Sequence, residues 1–293
     1  MTLSGGADCT KEAARSAFRI ALPPSGAPVT PLVFASPHSG RFYPPRLRAR
    51  LAGPALRSSE DALVDELIAS APEYGARLIA ANFARVFLDL NREPWELDPA
   101  MFEDEIPDWA RARTAKVAAG LGSIARVVRD GEEVYARKLS FAEARQRVER
   151  VHRPYHAALA TLIANTTAEA GLAILLDWHS MPSAAVKPGD DCEVVIGDRF
   201  GASASAGVTR RIEAAFAELG FRAARNAPFA GGYTTQNYGA PRRGVHAVQI
   251  EISRALYLDE TRVEKNAGFE ALKRRLEALF AGLAGTDWRS LAS

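Results

Sequence analysis

Leu172-Ala173-Ile174-Leu175-Leu176 runs directly into Asp177-Trp178-His179-Ser180, and this stretch decides how the rest of the chain is read. Five consecutive apolar residues fit a buried strand, and the polar residues that follow deliver a histidine at its end. The same change occurs at Phe34-Ala35-Ser36-Pro37-His38-Ser39-Gly40, where an apolar run breaks into a turn. Two histidines carried by two strand ends meet at one edge of a sheet, which is where open α/β folds place their sites. That geometry suits a metal ion.

Working outward, apolar runs of strand length recur at 31–35, 77–81, 86–90, 172–176, 194–197 and 245–252. Helical patterns lie between them. One starts at Ser58 or Ser59 and continues through Leu63, Val64, Leu67 and Ile68 at helical spacing. A second starts at Ser140, with Glu143 completing a capping box, and runs through Val148 and Val151 towards Leu162. Pro154 interrupts it, so that helix is expected to kink or split there. Further helices are predicted at 202–219 and 263–283. Asp130-Gly131, between Val127-Val128 and Val134-Tyr135, reads as a tight β-hairpin turn. Without repeats, low-complexity tracts or an obvious linker, residues 1–293 are expected to form one α/β domain with a mixed sheet between helical layers.

Composition narrows the function classes. The 293 residues are 47% apolar, enough for a substantial core. The 37 basic and 35 acidic residues leave a net charge of +2, which argues against nucleic acid or an anionic membrane surface as partner and favours a small molecule. Cys9 and Cys192 are too few for a disulfide framework, and a reducing cytoplasm is expected. The first twenty residues mix Asp8, Lys11, Glu12, Arg15 and Arg19 with alanines and build no signal-peptide core. No run reaches the ~20 apolar residues of a membrane helix.

A hydrolytic zinc site takes three protein ligands from histidine and carboxylate and leaves one position open. His38 and His179 supply two, and Glu60-Asp61, at a predicted helix start, are the nearest carboxylates. A single histidine beside a strand is more often a structural residue; a pair strengthens the metal alternative. Asp177 is placed either to accept the other N–H of His179 or to cap the turn. Glu251 stands inside the strand-like Val248-Gln249-Ile250-Glu251-Ile252. A buried carboxylate there would serve as general acid and base; simple alternation would put Gln249 and Glu251 together on a wet face. Arg92, after Asp89-Leu90-Asn91, and Arg254 offer planar forks for a substrate carboxylate, although surface ion pairing is the commoner fate of an arginine. Gly231-Gly232-Tyr233 and the polar residues to Gly239 read as a mobile loop over a pocket. No phosphate-binding glycine motif and no GxSxG elbow is present.

Taken in order, these motifs resemble the N-formylglutamate amidohydrolase family. The likeness runs from Ser36-Pro37-His38-Ser39-Gly40 through Glu60-Asp61, Asp89-Leu90-Asn91-Arg92, Pro154-Tyr155-His156 and Asp177-Trp178-His179-Ser180. It continues through Gly197-Asp198-Arg199-Phe200-Gly201 and Gly231-Gly232-Tyr233 to Gln249-Ile250-Glu251-Ile252 and Arg254-Ala255-Leu256-Tyr257. The resemblance implies a three-layer α/β/α, phosphorylase/hydrolase-like fold akin to zinc carboxypeptidases. It also implies one Zn2+ ion and hydrolysis of N-formyl-L-glutamate or a similar N-acylamino acid, as in histidine degradation. On this chain it makes His38 and His179 ligands, Asp61 ahead of Glu60 the carboxylate ligand, and Glu251 the catalytic acid/base. Arg92, Arg254, Asn91 and the Tyr233 hydroxyl become substrate-binding candidates. Two rivals stand beside this expectation. One is a zinc peptidase or cell-wall amidase on a larger substrate, which would normally carry an export signal. The other is a metal-free binding protein on the same fold.

Overall fold

A computed structural model of the chain describes residues 15–47, 49–110, 113–128, 131–186 and 191–292. Seven strands form its main sheet: β1 (Phe18–Ala21), β2 (Leu32–Ser36), β3 (Arg77–Ala81), β4 (Ala173–Met181), β5 (Val194–Gly197), β6 (Ala223–Arg225) and β7 (Val245–Ser253), in the order β1-β3-β2-β4-β7-β5-β6. The four strands from β3 to β7 are parallel, and β1 and β5 join them antiparallel, so the sheet is mixed as expected. A small hairpin, β8 (Leu258–Asp259) with β9 (Glu264–Lys265), stands apart from it.

Alternation along the strands builds two cores. Phe34, Ile174, Trp178 and Ile250 face one side, packed against α1 (Val64–Leu67), α4 (Ala206–Glu218) and α6 (Phe269–Ala284) through Leu67, Phe216 and Phe280. Val33, Ala35, Leu175 and Ala247 face the other, against α2 (Phe141–Arg147) and α3 (Arg153–Ala170) through Ala144, Tyr155 and Leu159. Every residue of β2 and β4 is buried, as strands covered on both faces must be. The chain leaves β2 for β3 on one side and then returns to β4 on the other. The carboxyl ends of β2 and β4 therefore flank a topological switch point, where sheet folds open a crevice.

Several expectations need correction. The run 86–90 is no strand; it is a buried turn-rich segment with its own partners. The run 172–176 extends to Met181, so Asp177 and His179 lie within β4 and not beyond it. The helix predicted from Ser58 or Ser59 amounts to the single turn of α1, entered through Leu63 in the left-handed region (φ 66°). The capping box at Ser140 is present. The stretch expected to kink or split near Pro154 is divided into α2 and α3 by a π turn over Val148–His152, and Pro154 sits in the first turn of α3, where its missing N–H costs little. The predicted loop 231–239 contains a short helix, α5 (Tyr233–Tyr238).

At the expected hairpin, Gly131 has a positive φ of 77° and Val127 bridges Glu133 antiparallel, while Asp130 lies outside the described residues, as does Cys9. No helix among the described residues is long and apolar enough to cross a membrane.

Candidate metal centre

His38 stands two residues past β2, and its carbonyl accepts the N–H of Asp61 at 3.1 Å, which ties the two segments together. His179 comes from β4. The atoms His38 Nδ1, His179 Nδ1 and Asp61 Oδ2 converge, with separations of 3.2, 3.1 and 2.9 Å, and all three residues are buried. The other nitrogen of each ring faces a different carboxylate. His38 Nε2 lies 2.6 Å from Asp89 Oδ1, and His179 Nε2 lies 2.9 Å from Asp177 Oδ2. Protons held on both Nε2 atoms leave both Nδ1 lone pairs turned towards the Asp61 oxygen. Three lone pairs at such distances repel unless a cation lies among them. Ligands about 2.1 Å from a tetrahedral ion stand about 3.4 Å apart, close to the separations found. The residues fit a metal ion.

Charge accumulates around this point. Burial alone would raise the Asp61 carboxyl, but hydrogen bonds and charge from His179 and His38 outweigh it and hold it well below the usual carboxylate range. Burial would likewise raise Asp89, and the charges of Arg85 and His38 hold it low. Burial would lower His179, yet Asp177 and Asp61 push it well above its ordinary value. A site that stabilises a proton on His179 stabilises any cation there, because the same two carboxylates attract both.

Of the adjacent acidic pair, Asp61 joins the histidines and Glu60 does not. The Glu60 carboxylate is turned to the Tyr43 hydroxyl and the Arg57 guanidinium. Arg254 is drawn inward as well. Its Nε donates to Ser180 Oγ at 3.0 Å, Nη1 to the Ser58 carbonyl at 2.9 Å and Nη2 to the Glu60 carbonyl at 2.7 Å, while Nη2 also reaches Asp61 Oδ1 at 3.3 Å. With its donors so engaged, it orients Asp61 more than it offers a free fork.

Glu251 is aligned with His179 across the parallel β4–β7 pair. Alternation does place Gln249 and Glu251 on one face, but that face opens on the site, and both are buried. Gln249 Nε2 donates to Glu251 Oε1 at 2.8 Å. Burial pushes the Glu251 carboxyl up to about 7, against the pull of His179. Asn91 accepts the Thr234 N–H on Oδ1 at 2.7 Å, which turns its amide nitrogen to within 3.1 Å of His179 Nε2. A side chain at Gly232 would come within 2.4 Å of that nitrogen, so glycine is required for the approach.

These groups line a cavity of about 820 Å³, together with Arg85, Arg92 and Lys116. Arg92 lies 3.7 Å from Asp89 Oδ2, and Arg85 Nε donates to the same oxygen at 2.9 Å. Tyr233 is not among the lining residues; its ring packs on His152 and His156 at 5.5 and 5.1 Å. Sequence reasoning missed Asp89, Arg85 and Lys116 as site residues. Asp89 carried a signal, a carboxylate inside the otherwise apolar run 86–90, whereas Arg85 and Lys116 carried none.

The family model described as N-formylglutamate amidohydrolase matches residues 30–258, a span that includes the three converging residues and Glu251. The chain is 32% identical over 236 residues to an N-formylglutamate deformylase of Pseudomonas aeruginosa, which covers 78% of this chain and 83% of the relative. It is 30% identical over 238 residues to an N-formylglutamate deformylase of Pseudomonas putida, covering 79% and 83%. The crystal structure of an N-formylglutamate amidohydrolase from Ralstonia eutropha JMP134 superposes with a TM-score of 0.88 at 37% identity, covering 94% of this chain and 100% of that one. A gene product of Agrobacterium tumefaciens shares the fold at a TM-score of 0.62 and 18% identity, covering 93% and 96%.

Proposed function

The chain belongs to the N-formylglutamate amidohydrolase family, and we propose that it is a zinc amidase cleaving the N-acyl bond of N-formyl-L-glutamate or a close N-acylamino acid to the free acid and amino acid. The observation that carries this reading is the convergence of His38 Nδ1, His179 Nδ1 and Asp61 Oδ2 beside a buried Glu251 on the neighbouring strand. His38, Asp61 and His179 would hold one Zn2+ ion. Bound there, the ion supplies a Lewis acid for the acyl oxygen and acidifies a water.

The remaining work falls to the chain's own side chains. Glu251, with a carboxyl pushed up to about 7, is poised to accept the proton of the attacking water and to return it to the departing nitrogen. Gln249 holds one Glu251 oxygen through its amide, which leaves the other to exchange the proton. Asp89 and Asp177 keep the two rings in the tautomer that frees Nδ1. Arg92 and Lys116 on the cavity wall are the cations for substrate carboxylates; burial lowers the Lys116 ammonium, repulsion from Arg92 adds to it, and that repulsion is relieved when an anion lies between them. Arg254 acts through Asp61, and Tyr233 packs its ring on His152 and His156.

A hydrolysis screen over N-formyl, N-acetyl and N-succinyl amino acids, with and without added zinc, tests the proposal. Cleavage of a formyl or acyl glutamate or aspartate is expected. Failure on all of them defeats the substrate assignment and leaves the metal site to be judged by metal analysis.

A further inference from the structure

Residues 86–92 are buried without forming a strand or helix, so their backbone groups need partners outside any regular ladder. Side chains supply them. The Val86 carbonyl accepts from the Tyr135 hydroxyl at 2.9 Å, the Phe87 carbonyl from Arg147 Nη1 at 2.9 Å, the Leu90 carbonyl from His156 Nε2 at 2.8 Å and the Arg92 carbonyl from His152 Nε2 at 3.0 Å. Three of these donors come from a single helical stretch. Arg147 and His152 are five residues apart, about 140° round an unbroken α-helix at 100° per residue. The π turn over Val148–His152 bonds residues five apart, which stacks them, and His156 follows one α-helical turn later with its ring 4.3 Å from that of His152. The π turn thus puts all three donors on the face that meets the segment.

We infer that His152 and His156 are positioning residues of the metal centre, holding segment 89–92 so that Asp89 meets His38 and Asn91 keeps its Oδ1 on the Thr234 N–H at the cavity wall. The inference rests on the metal-amidase reading of the site. Neither histidine touches the converging ligand atoms. Their hold is on the two carbonyls that bracket Asn91, and Tyr238, 2.9 Å from His156 Nδ1, fixes the His156 ring in turn. Lose the Leu90 or Arg92 bond, and the segment can rotate the Asp89 carboxylate away from the His38 ring.

The test compares His156→Gln, whose amide N–H falls where Nε2 stands, with His156→Asn, whose shorter amide cannot reach the Leu90 carbonyl, and with His156→Leu. Zinc affinity is read by competition with a chromophoric chelator, beside kcat and KM on the best substrate of the screen. His156→Asn and His156→Leu are expected to bind zinc about tenfold more weakly, the lower end for partners that orient metal ligands. Their kcat should fall further than KM changes, and His156→Gln should restore both. Equal zinc affinity and kcat in the Gln and Asn variants would overturn the inference, even where His156→Leu fails to fold. Wild-type protein that binds zinc but cleaves no N-acylamino acid defeats the substrate proposal instead, and the Gln-to-Asn affinity ratio still decides this one.

Discussion

Both ligand histidines are held through Nε2, so their Nδ1 lone pairs are committed to whatever lies beside Asp61. At the same scale Glu251 is a carboxylate on a buried strand that the fold tolerates at a cost, since burial favours its neutral form. Glu251→Gln removes that cost together with the proton acceptor. Turnover should fall by about 10³-fold, with zinc content unchanged and thermal stability of the metal-free protein equal or higher. A variant with near-normal kcat would sink the acid/base assignment. Lys116 makes a separate prediction. Lys116→Met should raise KM for a dicarboxylic substrate by about tenfold, the loss of one charge-assisted hydrogen bond, with kcat little changed and an N-formyl substrate bearing a neutral side chain unaffected. Equal losses on both substrates would remove Lys116 from carboxylate recognition.

The helix that carries His152 and His156 links local conformation to the site. His156 is buried beside His152, and burial together with that neighbour lowers it to about 3. Its ordinary value is 6.5, so between about 6.5 and 3 the unfolded chain takes up a proton that the folded chain refuses. Stability is therefore complete above pH 6.5 and declines as pH falls through that window, by at most about 1.4 kcal/mol per pH unit from this group. Urea unfolding of the metal-free protein at pH 7 and pH 5 should show a smaller difference in His156→Gln than in the wild type. An unchanged difference would mean that His156 is already protonated when folded. The capping box at Ser140 was legible in the sequence because its two partners are three residues apart. The π turn was not, since nothing in the sequence around Pro154 specifies a π turn over an α-helical one.

Across the whole molecule, the site joins segments from β2, the 60–61 turn, the irregular 86–92 segment, β4 and β7, so a cation among them is a crosslink of the folded state. Removing it with a strong chelator should lower the melting temperature by about 5 °C or more if zinc binds at a hundredfold excess over its dissociation constant, and adding back one equivalent should restore it. A chelator-insensitive melting curve with no zinc in the purified protein would favour the metal-free binding alternative. By itself the sequence determined the apolar runs that become β2, β3, β4, β5 and β7, a mixed sheet between helical layers, the association of His38 and His179 with two of those runs, and Glu251 on a shared face with Gln249, because these follow from local periodicity and the order of the elements. Only the tertiary structure decided which way the Glu60-Asp61 pair turns, that Arg254 is drawn onto Asp61, and that Asp89 orients His38 from a segment read as a strand. Those outcomes depend on which buried polar group finds which partner across long stretches of chain, and no local pattern encodes that pairing.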